Sequence, residues 1–98
     1  MSKKFPGGVA TGDAVQALLN DALENEYALP AVNVVGSNTV NAVLEAAAQV
    51  NSPIMIQFSN GGGVFFAGKS LSNDGQAAAI AGSVSGAKHV HAMAEAYD

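Results

Sequence analysis

The stretch ALPAVNVVGSNTVNAVLEAAAQVNSPIMIQFSNGGG, Ala28 to Gly63, decides the fold. Its first part, Ala28 to Val35, is a short apolar run rich in β-branched residues that ends at Gly36. Such a continuous run predicts a buried parallel strand, not an alternating, half-solvated one. Ser37 then offers an N-cap, and Val40, Val43, Leu44, Ala47 and Ala48 form the stripe of an amphipathic helix until Asn51-Ser52-Pro53 stops it. Ile54-Met55-Ile56-Gln57-Phe58 is a second apolar run. Asn60-Gly61-Gly62-Gly63 closes it, because three consecutive glycines leave the backbone too free to continue a strand. Strand, helix, strand in this order predicts parallel βα units with right-handed crossovers, and the class is α/β.

Outward from that centre the chain is helical on both sides. From Thr11 to Glu26, Val15, Leu18, Leu19, Ala22 and Leu23 recur at helical spacing, with Thr11 or Asp13 as the N-cap. After the second strand a glycine-rich loop is expected over 59–75. An alanine-rich helix then follows from Gly75 to Tyr97, with Ile80, Val84, Ala87, His91 and Ala94 on one face. The organisation is one partial domain: a helix at 11–26, a first βα unit at 28–51 and a second at 53–97. Two strands cannot complete a parallel sheet, which needs helices on both faces or closure into a barrel, so the 98 residues are expected to be the front of something longer.

Composition narrows the function. With 49% hydrophobic and 12% charged residues the chain is globular, not disordered. The net charge is −4, and the lysines Lys3, Lys4, Lys69 and Lys88 are dispersed with no arginine beside them, which argues against nucleic acid and anionic membrane as partners. The absence of cysteine removes disulfides, thiol catalysis and zinc-thiolate sites. Lys3 and Lys4 could begin a signal peptide, but Pro6-Gly7-Gly8 stands where its apolar run would have to be, and a cytoplasmic chain is expected.

Two motifs carry weaker signals than their spacing suggests. GVFFAGKS, Gly63 to Ser70, fits the phosphate-binding P-loop pattern. Its context does not: Asn60-Gly61-Gly62 already follows the strand, Phe65 and Phe66 seek a core, and Ser72-Asn73-Asp74-Gly75 interrupts any helix after Ser70. The alternative is that the two phenylalanines anchor a loop or short helical turn. His89-Val90-His91 would share a metal on a strand, but at about 100° per helical residue the two rings lie roughly 200° apart. His91 is expected to be partly buried and His89 at the surface. Asp21, Glu24, Glu26, Glu45 and Glu95 read as solvated faces of helices. What remains are polar residues at strand ends, where α/β proteins place their chemistry: Asn33, Gln57, Ser59 and Asn60. Asn33 and Gln57 either bond to neighbouring backbone or meet a ligand, and their chemistry leaves both open.

Ala28-Leu29-Pro30-Ala31-Val32-Asn33, Asn41-Ala42-Val43-Leu44-Glu45, Ile56-Gln57-Phe58-Ser59-Asn60-Gly61-Gly62, Phe66-Ala67-Gly68-Lys69 and His89-Val90-His91-Ala92-Met93-Ala94-Glu95 closely resemble the start of class II fructose-bisphosphate aldolases. The likeness runs from about Gly8 to Tyr97. It implies the N-terminal portion of a TIM (β/α)8 barrel, a capping helix plus the first two βα units. The implied activity is the reversible cleavage of fructose 1,6-bisphosphate to dihydroxyacetone phosphate and glyceraldehyde 3-phosphate by a homodimer that uses zinc (Zn2+). By match to the family pattern Ser59 would bind the sugar phosphate, Asn33 would orient it, and Gly61 and Gly62 would let backbone approach closely. Phe65 and Phe66 would pin the loop that begins at Ser59. The family's catalytic aspartate and zinc-binding histidines fall in neither His89-Val90-His91 nor any other part of this segment, so no catalytic residue and no metal ligand is expected here, and the segment alone is expected to be inactive. A tagatose-bisphosphate aldolase of the same family, or a small non-enzymatic phosphate-binding module, are the alternatives.

Overall fold

The computed structural model describes residues 5–97; Lys3 and Lys4, and the signal-peptide question with them, lie outside the described residues. The element order is α1 (Asp13–Glu24), β1 (Ala31–Asn33), α2 (Ser37–Val50), β2 (Met55–Gln57), α3 (Asn60–Ala67), a 3-10 turn (Asp74–Gln76) and α4 (Ala77–Tyr97). β1 and β2 pair in parallel with Ala31 opposite Met55, Val32 opposite Ile56 and Asn33 opposite Gln57. Backbone bonds extend the pairing at both ends: Met55 N–H donates to Pro30 O at 2.9 Å and Val34 N–H to Gln57 O at 3.0 Å.

α2 begins and ends as helix-capping chemistry directs. Its N-cap is Gly36, one residue before the expected Ser37. The Thr39 hydroxyl holds the turn by accepting from Gly36 N–H at 3.1 Å and donating to Gly36 O at 2.7 Å. At the other end Asn51 takes a left-handed φ of 53°, and Ser52 N–H returns to Ala47 O at 3.1 Å, closing the last turn ahead of Pro53. Val40 and Leu44 on this helix, with Val34 of the extended chain after β1, form the buried core. Ile56, Phe58, Phe66, Val90, Met93 and Tyr97 pack around it. α2 and α4 therefore cover one face of the sheet.

The opposite face is open, which corrects the expectation of a strand buried on both sides. All three residues of β1 are exposed: alternation sends Ala31 and Asn33 toward a face that no element covers among the described residues, and Val32, on the side of Val34, is still 36% exposed. α1 keeps its expected stripe yet buries none of it: Val15 is 40%, Leu19 44% and Leu23 79% exposed. Its N-cap is Gly12 and not Thr11 or Asp13, with no side chain capping it. The accessible surface is 6307 Å², against about 5,200 Å² for a self-contained chain of this mass.

Within the glycine-rich loop expected over 59–75, Asn60–Ala67 are instead the helix α3. Glycine disfavours a helix interior by about 1 kcal/mol relative to alanine, but here one local and one long-range feature override it. Ser59 caps the helix, and α3 lies flat on α4, where a β-carbon on Gly63 would come 2.5 Å from Ser83 Oγ and 2.7 Å from Ala79 O. Of the expected face of α4 only Ala94 packs against the core, and this contact turns its N-terminal part the other way. Its buried residues are Ala78, Ala79, Gly82 and Gly86, while Ile80 and Val84 are 59% and 49% exposed. Small residues pack here because they admit the neighbouring backbone; the bulkier stripe is turned outward.

Candidate functional site

The open face of the sheet carries the polar residues. Asn33 and Gln57 are register partners in adjacent parallel strands, so their side chains leave the same face. Alternation adds Ser59, two residues past Gln57, while Val34, Ile56 and Phe58 enter the core on the other side. All three polar residues are exposed, at the C-terminal ends of the strands. Asn33 thus differs from the buried amide expected of a two-sided strand; it stands at an open mouth. Gln57 joins it by register, a relation that parallel pairing reveals and residue type alone does not.

Ser59 is held by the helix it starts. Its backbone is extended (φ −71°, ψ 165°), and its Oγ accepts from Gly62 N–H at 2.9 Å. Because the oxygen accepts there, the hydroxyl proton is left to donate elsewhere. Gly62 has a steric reason to be glycine: a β-carbon on it would sit 3.1 Å from both Ser59 Oγ and Val34 O. The first turn of α3 is thereby seated on the end of β1, which brings Ser59 and Asn33 to one edge. Gly61 is different, since a β-carbon there would meet nothing within 4 Å. Its smallness is not required by the chain's own packing. Next to Ser59, Asn60 Nδ2 donates to Gln76 Oε1 at 3.0 Å, a link across 16 residues that no local pattern announced.

Against this geometry the comparisons are direct. The family model described as "Fructose-bisphosphate aldolase class-II" matches residues 13–98. The chain belongs to the class II fructose-bisphosphate aldolase family. It is 58% identical over 100 residues to a fructose-bisphosphate aldolase of Edwardsiella ictaluri, covering 99% of this chain and 28% of that protein. It is also 58% identical over 101 residues to the class 2 fructose-bisphosphate aldolase of Escherichia coli K12, with the same coverage. The crystal structure of the fructose-bisphosphate aldolase from Campylobacter jejuni superposes with a TM-score of 0.84 at 52% identity, over 93% of this chain and 26% of that one. The chain thus spans little more than a quarter of the length of these aldolases.

Other sequence-marked residues find structural places in this aldolase segment. In GVFFAGKS the helix ends at Ala67, so Gly68-Lys69-Ser70 follows a helix instead of opening one, the reverse of a P-loop. Phe66 packs edge-on to Phe58, with centroids 5.8 Å apart, and pins α3 to the core. Phe65 is 54% exposed with Lys69 Nζ 6.0 Å from its ring centre, so the pinning expected of both falls to Phe66 alone. The histidine expectation is reversed. His89 is half-buried with Nε2 2.9 Å from Asn41 Oδ1, and His91 is exposed. Asp21 is not a solvated carboxylate: half-buried, it accepts from the Tyr27 hydroxyl and from Asn25 Nδ2. That hydrogen bond, then burial and the Asp21 charge, raise the Tyr27 phenol above its ordinary value. Among the described residues no group of three or more His, Cys, Asp or Glu could hold a metal ion, and no helix is long and apolar enough to cross a membrane.

Proposed function

We propose that this chain forms the Asn33–Ser59 edge of the sugar-phosphate site of a class II fructose-bisphosphate aldolase, at the C-terminal mouth of a (β/α)8 barrel. The parent enzyme in this reading is a cytoplasmic homodimer that cleaves fructose 1,6-bisphosphate reversibly to dihydroxyacetone phosphate and glyceraldehyde 3-phosphate. The observation that carries it is the row of Asn33, Gln57 and Ser59 on one open face, in a chain whose family membership is established. Adjacent parallel strands with helices on one side only are what a barrel wall looks like from within.

Class II aldolases are metal-dependent, and zinc when bound supplies Lewis-acid polarisation of the ketone. The described residues here do not offer its ligand set. What this segment contributes is neutral hydrogen bonding. During aldol cleavage negative charge grows on a substrate oxygen, and a preset donor nearby stabilises it without ionising. The Ser59 hydroxyl has its proton free for that role because Gly62 N–H already occupies its oxygen. The Asn33 amide can donate and accept at once, which suits a hydroxyl-bearing carbon chain. Gly61, open on its outer side, admits a ligand to the backbone of the first turn of α3.

The test is steady-state cleavage of fructose 1,6-bisphosphate by the full-length enzyme that carries this segment. Ser59→Ala should lower kcat by about 10²-fold, the scale of one lost oxyanion donor, and Asn33→Ala should lower kcat/KM. Wild-type kinetics in both variants would overturn the proposal.

A further inference from the structure

Ser59 can serve a substrate only if α3 starts at one place, and Asn60, the first residue of that helix, is tied down from outside. Its Nδ2 donates to Gln76 Oε1 at 3.0 Å. The same oxygen lies 3.5 Å from Asn73 Nδ2, and Asn73 Oδ1 accepts from Ala79 N–H at 3.0 Å. The direction of every bond in this set follows from one group. A backbone N–H can only donate, so Asn73 must present its oxygen to Ala79 and its NH2 to Gln76. Gln76 must therefore present oxygen, and Asn60 must give NH2.

The backbone at Gln76 is left-handed, φ 66°, directly after Gly75 at φ 63°. A non-glycine residue held there needs a reason. The start of α4 does not provide one. Asn73 already covers the Ala79 N–H, and Gln76 N–H bonding to Asn73 O at 2.9 Å would be made equally by glycine. The side-chain amide oxygen is the part a glycine would lack, and it goes to Asn60.

We infer that Gln76 is a positioning residue of the aldolase site, its amide oxygen joining the starts of α3 and α4 and so fixing Ser59. The inference rests on the substrate-binding role of Ser59 proposed above. It is tested in the full-length enzyme with Gln76→Gly, which keeps the left-handed backbone and deletes the amide, and with Gln76→Glu, whose carboxylate still accepts from both asparagines. Gln76→Gly should melt at or above the wild-type temperature yet lose about tenfold in kcat/KM for fructose 1,6-bisphosphate, within the range a small misplacement costs. Gln76→Glu should restore most of that loss. In a Ser59→Ala background Gln76→Gly should cause no further loss, because it acts through the group already removed. If Ser59→Ala is impaired and Gln76→Gly matches wild type, the Gln76 inference alone fails. If Ser59→Ala itself matches wild type, the site reading fails and takes this inference with it. A rate loss in Gln76→Gly that merely tracks a fall in melting temperature also overturns it.

Discussion

Gly82 of α4 lies directly against the carbonyl of Gly63 in α3, so closely that a β-carbon on Gly82 would overlap that oxygen. The obstacle is backbone, which has no rotamer to adopt. Gly82→Ala must therefore push the two helices apart and loosen the Phe66–Phe58 contact at their other edge. Overpacking of this kind costs typically about 1–3 kcal/mol. Thermal unfolding of the full-length enzyme should show Gly82→Ala clearly below wild type, whereas Gly61→Ala, with open space around it, should shift little. An unchanged melt for Gly82→Ala would mean the helices are not in this contact.

The His89–Asn41 bond joins α4 to α2 across 48 residues and is half-buried. A net contribution of about 0.5–1.5 kcal/mol is usual for such a bond. Asn41→Ala and His89→Ala should each destabilise, and the double variant should lose less than the sum. Strict additivity in that double-mutant cycle would show that the two side chains do not interact.

What was legible in the chain, and what was not, separates by range. The run Ala28–Val35 and the stripe Val40, Val43, Leu44 are local patterns; the stripe and, from the run, Val34 are in the core or against it, while Val32 and Val35 stay exposed. Strand ends followed from them, which placed Asn33 and Ser59. α3 was hidden because its local sequence, three glycines, argues for a loop; what makes it a helix is the Ser59 cap together with Gly82 nearly twenty residues later. Periodicity points to the wrong face of α4 for the same reason, since it weights bulky residues while the buried side is Ala79, Gly82 and Gly86. His91 shares the stripe of Ile80 and Val84, so periodicity points it inward while the structure leaves it exposed with them. Gln76 carries no sequence signal, because a positive φ at a glutamine is imposed by tertiary bonds.

Tyr27 ties the end of α1 to the approach of β1 through Asp21. Folding raises the phenol's pKa above 10.0, first through that hydrogen bond, then burial, then the Asp21 charge. The folded state therefore holds the proton more tightly than the unfolded chain does. The stabilisation is complete below about pH 10 and is lost as pH rises through the folded value. The difference in phenolate absorbance between wild type and Tyr27→Phe should titrate above pH 10, and the stability advantage of wild type should shrink over the same alkaline range. A phenol titrating at or below pH 10 would contradict the bond.

Residues 1–98 produced on their own should be a poor domain and an inactive one. The paired sheet has two strands of three residues, below what holds together without support in water. Leu23 and Val50 are 79% and 71% exposed, and the open face carries Val35 and Met55 at about two-fifths exposure. Such surface favours association, so dye binding to exposed apolar groups and a melt that depends on protein concentration are expected. Fructose 1,6-bisphosphate should not be cleaved even with zinc added, since the chain spans little more than a quarter of the length of the aldolases it matches. Activity should return when the part of a class II aldolase that lies beyond this stretch in its relatives is supplied as a separate polypeptide, because in the proposed barrel its strands would complete the wall that carries Asn33 and Ser59. Cleavage by the segment alone, or a sharp monomeric melt independent of concentration, would defeat this expectation.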